Sequence, residues 1–308
     1  MKILITGLGG FVGPYLADYC LQKGDDVFGT LFPGHKSPRE KLNTFECDLN
    51  AKERLKEILR EVGPDIIFHL AAQSSSTADS FSILFNNVNC QVNLFEVLRE
   101  LNLNPVCMIA CSALEYGFVE KNPVKESFAL RPLSPYAISK AAQEMAAFYY
   151  FKQYGLKAVI IRAFNHTGPG QRNAVLPSFC RQIAEIEAGK KEAIIKVGNL
   201  DVHRDFTDVR DIVRAYFLSV KHCSFGEPYN VGSGESRKIQ DMLEALLCLS
   251  SKKIKIEQDP DLMRKNDIPK IQADISKFSK ETGWRPEIPF EKTLKDTLNY
   301  WRNEVKHP

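Results

Sequence analysis

Two groups of residues have the types and spacing to do chemistry together. The first is the stretch TGLGGFVG, Thr6 to Gly13, where Gly7, Gly10 and Gly13 fall at three-residue steps between a short apolar run and an apolar helical pattern. Glycine permits positive φ and close approach of the backbone to a pyrophosphate. The helix opening near Phe11 directs its free N–H groups and positive dipole end at such an anion. The spacing is GxxGxxG rather than GxGxxG, so the strand–turn–helix context carries the reading. The second group is Ser112, then Tyr136, then Lys140 four residues further on.

Tyrosine and lysine four apart share one helix face. A free phenol titrates near 10, and exchanging protons at neutrality asks for a drop of roughly three units, about 4 kcal/mol. The ammonium and an oxidised nicotinamide both act in that direction. Ser112 closes the strand-like run VCMIACS (106–112) and can hydrogen-bond the same substrate oxygen. Tyr136 then exchanges a proton at a carbonyl while the nicotinamide exchanges hydride. Alone, a Tyr-x-x-x-Lys pair is common and reads first as an ordinary exposed helix pair; the glycine turn and Ser112, in order, give it meaning.

The end of the second strand decides what the adenosine ribose meets. A carboxylate there accepts from the 2′-OH and repels a 2′-phosphate. Here the end is Thr30, Leu31, Phe32, with Lys36 and Arg39 following. The reading is NADP(H), used at least as well as NAD(H). Asp48 and Leu49, after the third strand, flank the adenine.

The elements that must position these groups are legible in the first half. KILIT (2–6), DDVFGT (25–30), FECDL (45–49), DIIFHLAA (65–72), VCMIACS (106–112) and KAVIIRAF (157–164) read as strands. Helical patterns cover 11–23, 53–62, 85–101 and 136–154. Continuous apolar strands alternating with helices imply a parallel sheet covered on both faces, an α/β doubly wound Rossmann fold. The second half is less regular, with helices near 175–189, after Asp208, and near 239–250, 275–281 and 290–305, and strands at 194–198 and 228–232. The division expected is a dinucleotide-binding domain over 1–164, with 205–232 returning to it. A smaller mixed α/β substrate-binding lobe then takes 165–204 and 233–308.

Composition fits this. With 44% hydrophobic residues, 26% charged and a net charge of +3, the chain has no electrostatic case for nucleic acid. No apolar run approaches a membrane span and no leader pattern opens the chain, so cytoplasmic residence is expected. The eight cysteines are scattered singly, which predicts neither metal nor disulfide.

Together these residues resemble the extended short-chain dehydrogenase/reductase family that acts on nucleotide sugars. The resemblance runs through TGLGGFVG, HLAAQSS (69–75), SALEYG, SPYAISK, RAFNHTGPGQ (162–171), KVGNLDVHRDFTDVRD (196–211), YNVGSG (229–234) and TGWRP (282–286). It implies catalytic roles for Ser112, Tyr136 and Lys140. It also implies a cofactor lined by Gly7, Gly10, Phe11, Val12, Gly13, Thr30, Lys36, Arg39, Asp48, Leu49, Leu70, Ala71, Ala72, Asn87, Tyr136 and Lys140. Asn87 resembles the family's buried structural asparagine. His69 and His166 read as structural.

Within the family, FNHTGPGQ and IIKVGNLDVHRDFTDVRD are most similar to the GDP-sugar branch. A 4,6-dehydratase there needs an additional acid/base two residues before the tyrosine of the SxxxYG stretch. That position is Leu114, which cannot transfer a proton, and neighbouring Glu115 is expected to face the other way along a strand. Simple reduction needs no such group. The resemblance thus implies NAD(P)H-dependent reduction of the 4-keto group of GDP-4-keto-6-deoxy-D-mannose to GDP-D-rhamnose. A nucleotide-sugar 4-epimerase or the 4,6-dehydratase itself is the alternative, and a silent nucleotide-binding protein the remote one. Substrate contacts implied are Ser112, Asn165, Lys196, Arg204, Arg237, Arg264 and Asp267. Helices 85–101 and 136–154, with Phe148, Tyr149 and Phe151, are expected to form a four-helix homodimer contact.

Overall fold

The structure, a computed structural model, describes residues 1–37, 39, 42–73, 79–263 and 267–307. Its centre is a seven-stranded parallel sheet. The strands are β1 (Lys2–Thr6), β2 (Asp26–Leu31), β3 (Asn43–Glu46), β4 (Ile66–His69), β5 (Val106–Ser112) and β6 (Ala158–Ala163), with a later strand, Pro228–Val231, joining the edge beside β6. The order runs from β3 through β2 and β1 to β4, β5 and β6. The order reverses between β1 and β4, and ligands of such sheets sit at that switch point, beyond the carboxyl ends of the strands. Thr6, His69 and Ser112 end their strands there.

Helices α1 (Val12–Gln22), α2 (Lys52–Val62), α3 (Ser80–Glu100) and α4 (Pro135–Tyr154) cover the sheet. Side-chain alternation along β1 shows why both faces are apolar. Ile3 and Ile5 pack with Leu16 and Ala17 of α1, while Leu4 packs on the opposite face with Leu55 and Ile58 of α2 and Leu94 of α3. Helix α3 starts five residues before the expected Phe85. The Asp79 carboxylate accepts from Ser82 N at 3.0 Å and caps the earlier start.

The remaining elements are β7 (Asn165–Thr167), α5 (Val175–Glu187), β8 (Ile194–Val197), β9 (His203–Asp208), α6 (Val209–His222), β10 (Pro228–Val231), β11 (Ser236–Lys238), α7 (Ile239–Cys248), β12 (Lys255–Gln258), β13 (Lys270–Ile271), α8 (Ser276–Thr282) and α9 (Phe290–Lys306). Strand β9 is flanked by β11, β13 and β7 in a small mixed sheet, and β8 pairs with β12. A separate apolar cluster lies under α5, α7 and α9, around Phe179, Leu243, Leu298 and Trp301. The strands β7, β11 and β13 are missing from the sequence reading because they are very short, as in NHT and SRK, and β9 and β12 because HRDFTD and KIEQ are largely polar. No helix among the described residues is long and apolar enough to cross a membrane.

Candidate active site

The glycine turn is built by contact, not flexibility. Gly7 has φ +72°, and a Cβ there would lie 2.7 Å from Ala71 Cα. Gly10 N donates to Gly7 O at 3.0 Å. A Cβ on Gly13 would meet Leu8 O at 2.3 Å, so α1 starts against the turn. Phe11, at the N-cap, offers no side-chain acceptor, and the first turn, which includes Val12, carries no acid. The first-turn N–H groups are therefore left without a side-chain cap. Leu70 and Ala71 lie half-buried beside Gly7, and Ala72 is exposed.

Around the expected adenosine end, Thr30 and Leu31 are buried and Phe32 is 56% exposed. Lys36 is exposed. Arg39 forks onto Asp18 of α1, with Nε at 3.1 Å from Oδ1 and an amino nitrogen at 2.5 Å from Oδ2. Asp48 accepts from Asn50 N at 3.0 Å, and Leu49 is buried. Asn87, placed among the cofactor residues on sequence grounds, is 1% exposed, and protein groups engage its amide. Its oxygen accepts from Gln73 N at 2.7 Å, and its nitrogen donates to Gln73 O at 3.0 Å and Ser139 Oγ at 2.9 Å. It therefore ties the loop after β4 to α4 instead of lining the cleft.

The Ser–Tyr–Lys group comes from two elements. Ser112 ends β5, where its Oγ accepts from Leu114 N at 3.2 Å. Tyr136 and Lys140 stand in the first turns of α4, whose start is fixed by Ser134 Oγ accepting from Ala137 N at 3.2 Å and by Pro135. Lys140 is 2% exposed, and its Nζ lies 5.7 Å from the centroid of the Tyr136 ring. The ammonium donates to Ala110 O at 2.7 Å and to Gln143 Oε1 at 2.8 Å.

The expectation of a phenol lowered by its ammonium neighbour needs correction. Burial pushes the Tyr136 hydroxyl well up, Glu115 and Cys111 push it further, and the Ser112 hydroxyl pulls it down. Lys140 is itself lowered by burial. In this arrangement the phenol keeps its proton, as a donor to a substrate oxygen must.

Sequence reading missed the polar chain behind Lys140. Gln143 is fully buried, its nitrogen donates to Asn87 O at 2.8 Å, and it lies 3.5 Å from His69 Nε2. His69 Nδ1 in turn lies 2.9 Å from Thr6 Oγ1. Burial first, and Lys140 second, hold His69 neutral, down to about 3. The signal was available: Gln143 follows Lys140 by three residues on one helix face. His166 stacks on Phe11 with ring centroids 6.2 Å apart.

After Ser112 the chain is not a strand but a 3-10 turn, Ala113–Tyr116. Leu114 is 38% exposed there, while Glu115 is fully buried, its Oε1 accepting from Ser112 N at 2.7 Å. The inward turn of Glu115 is thus a capping contact rather than strand alternation. Cys111, Glu115 and Glu144 converge within 4.8 Å, but Arg162 forks onto Glu144 at 2.7 and 2.5 Å and supplies the cation itself.

Of the expected substrate contacts, Asn165 is half-buried at the start of β7. Lys196 is exposed, 3.8 Å from Asp259. Arg204 and Asp267 are brought together at 3.1 Å, and Arg204 also donates to Ile268 O at 2.5 Å. Arg237 sits opposite Arg204 in the sheet register, pairs with Glu235 at 2.5 Å and covers the Phe290 ring at 4.8 Å. The cavity it lines, with Thr207, Asp208 and Thr293, does not include Ser112, Tyr136 or Lys140. Arg264 lies outside the described residues.

Residues 4–297 match the family model described as GDP-mannose 4,6 dehydratase. The chain belongs to this family. A GDP-6-deoxy-D-mannose reductase from Pseudomonas aeruginosa is 31% identical over 311 residues, covering 99% of this chain and 98% of that protein. A UDP-glucuronate 4-epimerase from Thermodesulfobacterium geofontis is 29% identical, covering 98% of this chain and 97% of the relative. Among solved structures, RMD from Pseudomonas aeruginosa complexed with NADPH superposes with a TM-score of 0.87 at 29% identity, covering 99% of this chain and all of that one.

Proposed function

We propose that the protein reduces the 4-keto group of GDP-4-keto-6-deoxy-D-mannose, with NADPH, to give GDP-D-rhamnose. The observation that carries the choice is Leu114, exposed at the turn where an elimination would need an acid/base. The 31% identity to a GDP-6-deoxy-D-mannose reductase supports the same reading.

The residues present fit a dinucleotide: the Gly7 cradle has no room for a side chain, and the α1 cap leaves its N–H groups to an anion. Gly7, Gly10, Gly13 and the N–H groups of Phe11 and Val12 would hold the pyrophosphate, with Arg39 and Lys36 at the adenosine ribose. When bound, the dinucleotide supplies hydride to sugar C4. Ser112 holds the carbonyl oxygen through its hydroxyl. As the C=O π bond breaks, the Tyr136 O–H donates its proton to that oxygen. Lys140 then stabilises the tyrosinate left behind. Residues 1–164 and 209–232, with α8 and Trp284 packed against them, form the dinucleotide side of the cleft, whereas Asp205 to Asp208, expected on that side, lie in the small sheet and belong with Asn165, Lys196, Arg204 and Asp267 on the sugar-nucleotide side. For Arg204 this requires exchanging Asp267 for phosphate, which a guanidinium fork accepts equally.

A 4-epimerase uses the same three residues and is the second reading, favoured by the 29% identity to a UDP-glucuronate 4-epimerase. Incubating purified protein with the 4-keto sugar and NADPH separates them. Net NADPH oxidation supports the reductase; interconversion of sugars without it supports the epimerase.

The exposed apolar residues of α3 and α4, Phe81, Phe85, Ile138, Met145, Phe148 and Tyr149, fit burial against a second copy. Phe151 does not belong with them, since it packs on Gly226. A monomeric mass by light scattering would refute the dimer.

A further inference from the structure

Glu115 is a carboxylic acid buried three residues after the serine, and the reaction just described gives it no part. Its Oε1 accepts from Ser112 N at 2.7 Å, while Ser112 Oγ accepts from Leu114 N at 3.2 Å. The two contacts form a reciprocal cap on the turn Ala113–Tyr116. Among the described residues, its Oε2 is buried without a hydrogen-bond partner. Facing it are Cys111 from β5, Tyr136, Lys140 and Glu144 from α4, and Arg162 from β6. Arg162 is engaged by Glu144, and Lys140 by Ala110 O and Gln143.

We infer that Glu115 is a positioning residue: its carboxyl fixes the Ser112 backbone and so aims the Ser112 hydroxyl, and its ionisation opposes proton loss from Tyr136. The inference rests on the proposed roles of Ser112 and Tyr136. Because Leu114 N occupies a lone pair of Oγ, the Ser112 O–H is the donor that remains for a substrate oxygen. Burial first, and Glu144 second, raise the Glu115 carboxyl to about 8. Near neutrality it is uncharged, and glutamine is its close mimic. Above that pH a carboxylate beside Tyr136 raises the phenol further, and donation, which leaves a tyrosinate, becomes harder.

The test compares Glu115→Gln and Glu115→Ala with wild type in NADPH-dependent reduction of the 4-keto sugar, on either side of pH 8, together with hydrogen exchange of the Ser112 amide in the substrate-free protein. At neutral pH Glu115→Gln is expected to keep kcat within about twofold, whereas Glu115→Ala loses roughly tenfold or more in kcat with little change in KM. The ratio of wild-type to Glu115→Gln kcat falls as pH passes 8, a comparison that cancels titrations common to both. The Ser112 amide stays protected in Glu115→Gln and exchanges faster in Glu115→Ala. A flat ratio, a Glu115→Ala enzyme with wild-type kcat, or unchanged Ser112 protection in Glu115→Ala overturns the inference. If wild type leaves the keto sugar unreduced, the proposed activity fails, and the Ser112 exchange alone decides the positioning role. If Glu115→Ala does not fold, the kcat ratio and amide protection of Glu115→Gln decide.

Discussion

The Lys140 ammonium lies 2.8 Å from the Gln143 amide oxygen, and both side chains are shut away from water. With Ala110 O taking a second N–H, two of the three ammonium donors are fixed by the protein.

Gln143→Leu removes one acceptor from a buried cation. Stranding such a group costs about 1–3 kcal/mol or more, so reduced thermal stability and a lower kcat are expected together. Gln143→Glu keeps an acceptor and adds a charge, which raises Lys140 and shifts the pH–kcat profile. Wild-type kcat and unfolding temperature in Gln143→Leu would show that the contact does not hold the lysine.

Two glycines with similar φ separate strain from contact. Gly7 and Gly24 lie at φ +72° and +80°, but a Cβ meets Ala71 Cα at 2.7 Å on Gly7 and nothing within 4 Å on Gly24. Gly24→Ala is expected to cost about 1–2 kcal/mol of stability and leave NADPH binding unchanged. Gly7→Ala adds the displacement of Ala71 and weakens NADPH binding at least tenfold, about 1.4 kcal/mol. Fluorescence titration with NADPH reads the difference; equal affinities would remove the glycine turn from the cofactor site.

Arg39 and Asp18 form an exposed pair, of a kind that contributes about 0.2–1 kcal/mol. Turning that guanidinium to a 2′-phosphate would exchange a carboxylate for another oxyanion. Arg39→Ala is expected to lower kcat/KM for NADPH about tenfold, or 1.4 kcal/mol, and leave NADH unaffected. Equal losses with both cofactors would assign Arg39 to a part the two share.

Glu115 also makes a stability prediction with a definite sign. Its folded carboxyl titrates near 8, above the ordinary 4.5, so folding keeps a proton that the unfolded chain releases. The stability of the neutral form is complete below 4.5 and is lost as pH rises through 8. Across that window wild type is expected to weaken against Glu115→Gln by up to about 1.4 kcal/mol per pH unit. Denaturant unfolding of both proteins measures the gap; parallel pH curves would mean that the carboxyl is ionised throughout.

Much of the large sheet was legible because its strands are apolar on both faces, as in IIFH and AVIIRA. The glycine turn was legible from its place between a strand and a helix, and the Tyr136–Lys140 pair from its company with that turn and Ser112. The small sheet was not, because His203–Asp208 is held by Asp205, whose carboxylate accepts from Ser233 N, Gly234 N and Ala273 N, contacts between residues distant in sequence. Glu115 was misassigned to a strand for a related reason: period-two alternation ends where Ser112 caps a 3-10 turn. The burial that raises Tyr136 is likewise a property of tertiary packing, absent from any local pattern.

The central claim is a hydride delivered to sugar C4 with a proton from Tyr136. NADPH deuterated at the transferring position of its ring, incubated with GDP-4-keto-6-deoxy-D-mannose, tests it most directly. The account predicts one deuterium at C4 of a GDP-linked 6-deoxyhexose for each NADPH oxidised, and a loss of about 10²–10⁴-fold in that rate in Tyr136→Phe. A sugar product free of deuterium, formed with no net oxidation of NADPH, would contradict it.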